Sequence, residues 1–250
     1  MIDEFSRSQK APDRPGTGVG FPATRWSLIV GLAEGSEDER REAMEELCRS
    51  YWFPLYAFAR HQGHSRHNAE DLTQGFFAHL LSKNRLSYLQ GAEGRLRTYL
   101  LGAMKRFITD EWRAASAQKR GGGRNIISLD SCAADGRYLE IADEGGTPED
   151  IFHQQWVLSL LTKARDRVKQ AYSATDKARL FAAIEPAITD SDNIDYDALS
   201  VSLDMSPGAI RTAIHRLRRR FGDAIRQEIA ETVADSEEAA TEYQELLAHG

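Results

Sequence analysis

Residues 196–205 read YDALSVSLDM and residues 206–221 read SPGAIRTAIHRLRRRF, and this pair of segments decides what kind of fold the chain adopts. Tyr196, Leu199 and Leu203 are spaced as one face of a short helix, and Asp204-Met205 supply a tight turn. Ser206 then offers a hydroxyl as N-cap and Pro207 a preset φ at the first helical position. In the helix that follows, Ile210, Ala213, Ile214, Leu217 and Phe221 share an inward face, which leaves Arg211, Thr212, His215, Arg218 and Arg219 pointing outward. This is a helix-turn-helix pattern. In a recognition helix the early outward residues meet base edges in the major groove and the later basic ones meet phosphates. Arg211, Thr212 and His215 are therefore the candidate base readers, with Arg216, Arg218 and Arg219 as further DNA contacts. The alternative is an amphipathic helix with a solvated arginine face.

Net charge gives no direct support to a nucleic-acid partner, since the 250 residues carry a formal charge of -6. The distribution of charge is more informative. Residues 206–222 hold five arginines and no acid, residues 105–124 six basic groups against two acids, and residues 228–250 seven acids with no Lys or Arg. Basic stripes on an acidic chain provide a local attractive field without general stickiness.

Working outward, helical periodicity accounts for nearly everything. Residues 1–20 have too few apolar groups to offset ordering entropy and read as a flexible arm. Helices are expected over Thr24–Leu32, then Glu37–His61 with Pro54 as a kink, then Ser65–Ser82. A glycine-containing loop, Asn84–Gly94, leads to a fourth helix from Arg95 to about Lys119. These form one bundle within 21–120. Residues 121–146, rich in glycine and acids, read as a linker with a short strand-like piece at Ile126–Leu129. Thr147 as N-cap, Pro148 and Glu149-Asp150 in the first turn open a second bundle over 147–230. An acidic extension, 231–250, follows. The fold class expected is all-α: two small helical bundles joined by a flexible linker.

Several function classes find no support. No apolar run approaches the roughly 18 to 20 residues of a membrane span, and the N-terminal residues lack the apolar core of a secretory signal, so a cytoplasmic protein is expected. Cys48 and Cys132 are expected as thiols. No phosphate loop or nucleophile motif occurs, so no catalytic residue and no cofactor are assigned. His61, His64 and His67 have a spacing that could begin a zinc site, but they straddle a turn at Gly63 and lack an H-E-x-x-H pattern, so no metal is assigned.

The second informative segment is residues 96–113, LRTYLLGAMKRFITDEWR, which interleaves aromatic and basic residues. Single-stranded nucleic acid is held by such surfaces, aromatic faces stacking on bases and basic groups on the backbone. Aromatics facing the core and basics facing solvent would give the same composition.

Taken together these motifs resemble the extracytoplasmic-function (ECF) sigma factors. Residues 21–120 resemble region two and 147–230 region four. The family's clamp-binding pattern D-A-E-D-L-V-Q-E is similar to residues 68–75, NAEDLTQG. The family patterns F-R-x-W-L, I-A-R-N and D-x-L-R are similar to residues 96–100, 103–106 and 110–113. The family's S-x-G-x-V-[KR]-[ST]-x-[LI]-x-R-[AL]-R is similar to residues 206–218. The resemblance implies that Glu70, Asp71, Leu72 and Gln74 bind the clamp helices of core RNA polymerase. It implies that Lys105, Arg106 and Arg113, with the Asn84–Gly94 loop, hold the melted strand of the minus-ten element. Region four would read the minus-thirty-five element as duplex promoter DNA. A regulator that binds an operator without core polymerase is the alternative function.

The match departs from the family at Asn68 and Gly75, where acids are usual, and at Thr73, usually apolar. Together with residues 21–27, FPATRWS, this resembles a subgroup associated with serine/threonine kinases. Thr73 is thus a candidate phosphosite that would return charge to the clamp helix; beside it stands an ordinary helix threonine bonded to its own backbone. A serine/threonine kinase and an anti-sigma factor are further partners the resemblance allows. The acidic 231–250 extension either folds back to mask the arginine face or is a solvated face, the second being favoured.

Overall fold

In the computed structural model, the residues described are 32, 35–81, 95–117, 145–190, 193–232 and 236–249. The expected arm, the Thr24–Leu32 helix apart from Leu32, the Asn84–Gly94 loop, Cys132 and the linker apart from Gly145 and Gly146 lie outside them. Among the described residues every regular element is helical: α1 Glu37–His61, α2 Arg66–Leu81, α3 Leu96–Ala117, α4 Pro148–Ser173, α5 Ala178–Ile184, a 3-10 turn Glu185–Ile188, α6 Tyr196–Leu203, α7 Pro207–Ala230 and α8 Ser236–His249. The all-α class expected from sequence is the one observed.

α1 starts at a capping box, Ser36 accepting from the Glu39 amide while the Glu39 carboxylate accepts from the Ser36 amide. The helix continues through Pro54, and from Ser50 to Ala59 every side chain is buried. A helix buried on all faces must have partners all round. α2 and α3 cover one side, with Phe76, Phe77, Leu80, Leu96, Leu100, Met104 and Phe107 joining its core.

The other side is covered by α4. This helix also opens on a capping box, Thr147 with Asp150, followed by Pro148. Its first half sends Ile151, Phe152, Trp156 and Leu160 into the core around α1. Its second half sends Ala164, Val168 and Tyr172 into a second core with Phe181, Ile184, Ile210, Ile214 and Leu217. The stripe at four-residue spacing, 152-156-160-164-168-172, thus serves two cores with one helix. Two helical bundles joined by a linker were expected, with 147 opening the second. The periodicity shows that an apolar face exists but not what covers it, and the first three turns of α4 are covered by α1. Lys163 reinforces the contact by donating to the Glu46 carboxylate and the Ser50 hydroxyl of α1. Arg167 ties α4 to α7 through Glu228 at 2.7 Å and Glu231 at 3.0 Å.

The extension favoured as a solvated face is a docked helix. On α8, Glu242 is 1% exposed. Its carboxylate pairs with Arg95 at 2.7 Å and with Arg97, and the Leu96 amide donates to the Thr232 carbonyl. Ala239, Tyr243 and Leu246 pack against the first core. The acids of the tail meet arginines at the head of α3 because the end of α7 delivers the chain there. The arginine face of α7 contributes only Arg226, over the Tyr243 ring at 4.6 Å.

Trp156, 1% exposed and stacked under the Arg97 guanidinium at 4.4 Å, sits where α1, α3 and α4 meet. Trp156→Ala is expected to cost about 3–5 kcal/mol. Because α4 belongs to both cores, wild-type urea unfolding followed by circular dichroism and by tryptophan fluorescence should give one coincident transition. Two resolved transitions would mean that the cores are independent.

Candidate nucleic-acid interface

The helix-turn-helix is built from local rules. The Asp195 side chain caps α6 by accepting from the amides of Asp197 and Ala198. The turn requires one left-handed residue, and Asp204 takes it at φ 52°, a conformation aspartate tolerates better than most. Ser206 then accepts from the Ala209 amide at 3.3 Å and Pro207 starts α7. Ile210, Ile214 and Leu217 are buried, with Ala213 and Phe221 half-buried against the same core. The expected inward face is the observed one.

The opposite face presents Arg211, Thr212, His215, Arg216, Arg218 and Arg219, all exposed. Their environments differ. Arg211 lies over the Tyr196 ring at 4.9 Å, which braces the two helices and pre-orients the guanidinium. The Thr212 hydroxyl donates to the Gly208 carbonyl at 3.0 Å. Arg218 donates through Nε to the Ala187 carbonyl at 2.9 Å, so it clasps the end of the 3-10 turn. Arg219 is 4.0 Å from Asp223, an exposed pair of little energetic weight. Arg220, not singled out from sequence, sits over the Tyr172 ring at 5.2 Å.

On α3, Leu96, Leu100, Met104 and Phe107 face the core, and residues 109–114 are exposed together with Lys105 and Arg106. Lys105 and Trp112 are seven positions apart, as are Arg106 and Arg113, so each pair falls on one line about two turns long. Trp112 is 71% exposed, a large aromatic face beside basic groups. Sequence reasoning left it out of the candidate list, although counting seven from Lys105 would have placed it on the same line. Lys105 is engaged by Glu149 of α4 at 2.5 Å, and this bond holds the Glu149 carboxyl below its usual range. Arg113 lies 3.7 Å from Asp110 on its own helix.

α2, which the sequence suggested as the clamp-binding helix, is more covered. Asp71 is exposed, Leu72 and Gln74 are half-buried, and Glu70 is 8% exposed and paired with Arg66 at 3.0 Å. Thr73 is fully buried, its hydroxyl donating to the Ala69 carbonyl at 2.7 Å. In this conformation no kinase can reach it. The geometry is that of a helix threonine bonded to its own backbone. A Cβ at Gly75 would stand 3.2 Å from Cζ of Phe107, tighter than ordinary contact. A side chain at this position would press on the Phe107 ring.

The candidate residues fall on three helices. α2 and α3 touch through Phe76 and Phe107 and belong to the first core, whereas the α7 face belongs to the second. Among the described residues no three His, Cys, Asp or Glu side chains are placed to hold a metal ion. His61 instead meets the Gly146 carbonyl at 3.1 Å. Burial pushes the Cys48 thiol up to about 11, so it is protonated and unreactive at neutral pH. No helix among the described residues is long and apolar enough to cross a membrane.

Comparison with known proteins places residues 29–177 under the family model for the ECF sigma factor. A relative from Mycolicibacterium smegmatis, the ECF RNA polymerase sigma factor SigE, is 24% identical over 189 residues, which is 75% of this chain and 63% of the relative. The matched part thus spans less than two thirds of that protein. No solved structure matches.

The burial of Thr73 yields a prediction. Thr73→Glu should destabilise the fold by at least about 3 kcal/mol, because an unpaired carboxylate would replace a satisfied hydroxyl in the core. Thr73→Val should stay within about 1 kcal/mol. Melting temperatures by circular dichroism would decide, and a Thr73→Glu protein as stable as wild type would mean that the side chain can leave the core.

Proposed function

Because the chain belongs to the ECF sigma factor family, whose model matches more than half of it, we propose that it directs core RNA polymerase to particular promoters and starts transcription there. Its partners on this proposal are core RNA polymerase and promoter DNA, as duplex and as melted strand. It works in the cytoplasm and performs no catalysis of its own.

The observation that carries the proposal is the outward row Arg211, Thr212, His215 at the start of α7, held on a rigid apolar seam directly after the turn at Asp204. A helix entering the major groove meets base edges with those N-terminal positions. Arg211, Thr212 and His215 are the base readers, while Arg216 and Arg219 meet phosphates. Arg218 is placed for a structural role by its bond to Ala187, with only the remainder of its guanidinium left for DNA.

Melted DNA is assigned to α3. Arg106 and Arg113 supply charge along one line of the helix, and Lys105 adds charge on the neighbouring line with Trp112 once Glu149 releases it. Clamp contact is assigned to α2, with Asp71 as the exposed acid, Leu72 and Gln74 beside it, and Glu70 ordered by Arg66. Asp71 is open, whereas Leu72 and Gln74 are half-covered and Glu70 is buried, so the contact is modest in charge. The buried hydroxyl of Thr73 favours a structural role over a kinase switch. Control by a kinase or an anti-sigma factor draws no support from the geometry.

Mixing the purified chain with core RNA polymerase and separating by size should give co-elution, and the complex should initiate from a cognate promoter. Duplex binding by the chain alone, with no affinity for core enzyme, would instead make it an operator-binding regulator. In the complex, Arg211→Ala should weaken promoter binding by about 1–3 kcal/mol and relax discrimination at the base it reads. Arg219→Ala should weaken all sequences alike and flatten the salt dependence. Arg218→Ala should chiefly lower the melting temperature. Equal loss of promoter affinity in all three variants, with stability unchanged, would refute this division of roles.

A further inference from the structure

Glu242 is buried to 1% exposure, a place a carboxylate occupies only when its charge is answered. Both of its ion-pair partners, Arg95 and Arg97, stand at the head of α3, the helix that carries Lys105, Arg106, Trp112 and Arg113. Further along, Lys105 is answered by Glu149. The basic groups from 95 to 105 on this helix are thus neutralised by carboxylates contributed from α4 and α8, while Arg106 and Trp112 face outward. An open cleft lined by Arg97, Thr98, Leu101, Glu149, Phe152 and His153 runs between the two ion pairs. A carboxylate presents to a guanidinium the same paired oxygens that a phosphate does.

We propose that Arg95, Arg97 and Lys105 are the head of a phosphate-binding track for single-stranded nucleic acid along α3, and that α8 is a cis-acting brake occupying that track through Glu242. The inference rests on the assignment of α3 to the melted strand and adds its regulation. Arg97 lies about 12 Å along the helix axis from Lys105 and about 80° from it around the helix, and Trp112 stands about two turns beyond Lys105 on the same line, so a strand lying on Trp112 and Lys105 would continue onto the groups that α8 holds.

The seating of α8 suits a displaceable element. Among its described side chains only Glu242 is buried; Ala239, Tyr243 and Leu246 are half-buried and the others exposed. Its docking thus leans on a buried ion pair more than on deep apolar contact. Such pairs add little net stability but fix one arrangement over another. The short connection from Thr232 to Ser236 keeps the effective concentration of Glu242 at its site high. A competing strand must outbid a tethered carboxylate, and once it does the tail carries its acids away from the track.

The test uses the full chain and a fluorescein-labelled single-stranded deoxyoligonucleotide, with anisotropy at low salt. Glu242→Gln keeps the volume and removes the charge, and should tighten binding about tenfold; Arg97→Ala added to it should abolish the gain. An unchanged or weaker affinity in Glu242→Gln, with circular dichroism and melting as in wild type, would overturn the brake. A second measurement needs no substitution. Saturating oligonucleotide should speed amide hydrogen exchange across 236–249 in the wild-type chain, and unaltered protection there would also overturn it. Arg106→Ala and Arg113→Ala should weaken the oligonucleotide whatever α8 does. If they do while Glu242 is silent, only the brake fails; if they do not, the assignment of α3 to the melted strand fails with it.

Discussion

The arrangement of the whole chain follows from what covers one helical stripe. α1 is buried on every face between Ser50 and Ala59, and no helix in that state is stable unless neighbours remove all of it from water. α2 and α3 leave one side uncovered, and Ile151, Phe152, Trp156 and Leu160 of α4 complete it. Since α4 also carries Ala164, Val168 and Tyr172 into the core beneath the helix-turn-helix, the demand of α1 for cover fixes where α7 stands relative to α3. Trp156 carries a further consequence. Its ring supports Arg97, which in turn pairs with Glu242, so α4 helps to seat the tail.

Local features were legible in the sequence to within a residue or two, because they are set by neighbours along the chain. Ser206 and Pro207, Thr147 with Pro148, and the inward set Ile210, Ile214 and Leu217 are each dictated by capping chemistry or by the helical period. The partner of a face is a different kind of information. The stripe on α4 is continuous, and nothing in its spacing marks the change from one core to the other between Leu160 and Ala164. A glycine- and acid-rich segment before Thr147 suggested a boundary, yet the chain that follows it returns to α1. The buried position of Glu242 was equally hidden, since an acidic, lysine-free tail has the composition of a solvated face whether or not two arginines wait for one of its members.

For the candidate site the same division holds. Which residues of α7 point outward was readable; that Arg218 is spent on the Ala187 carbonyl was not, because residues 31 positions apart meet only in the fold. On α3 the mixture of aromatic and basic residues left core and ligand roles open at each position. The fold separates them by face: Leu100, Met104 and Phe107 inward, Arg106, Trp112 and Arg113 outward. The net charge of -6 also acquires a local meaning, for Glu149 and Glu242 come to rest on Lys105, Arg95 and Arg97 of α3 and lower the positive field there.

On α2, a departure from a family pattern coincides with close packing. Gly75 allows Phe107 to approach to a distance that a Cβ would contest, and Phe107 in turn meets Phe76 edge-on at 6.0 Å. Thr73 faces inward on the same helix, its hydroxyl answered within its own turn. An acid at 75 would require Phe107 to retreat, and Phe107 is one of the residues that turn α3 so that Arg106 and Trp112 look outward. Glycine at 75 thus goes with the close approach of α2 to Phe107 of α3.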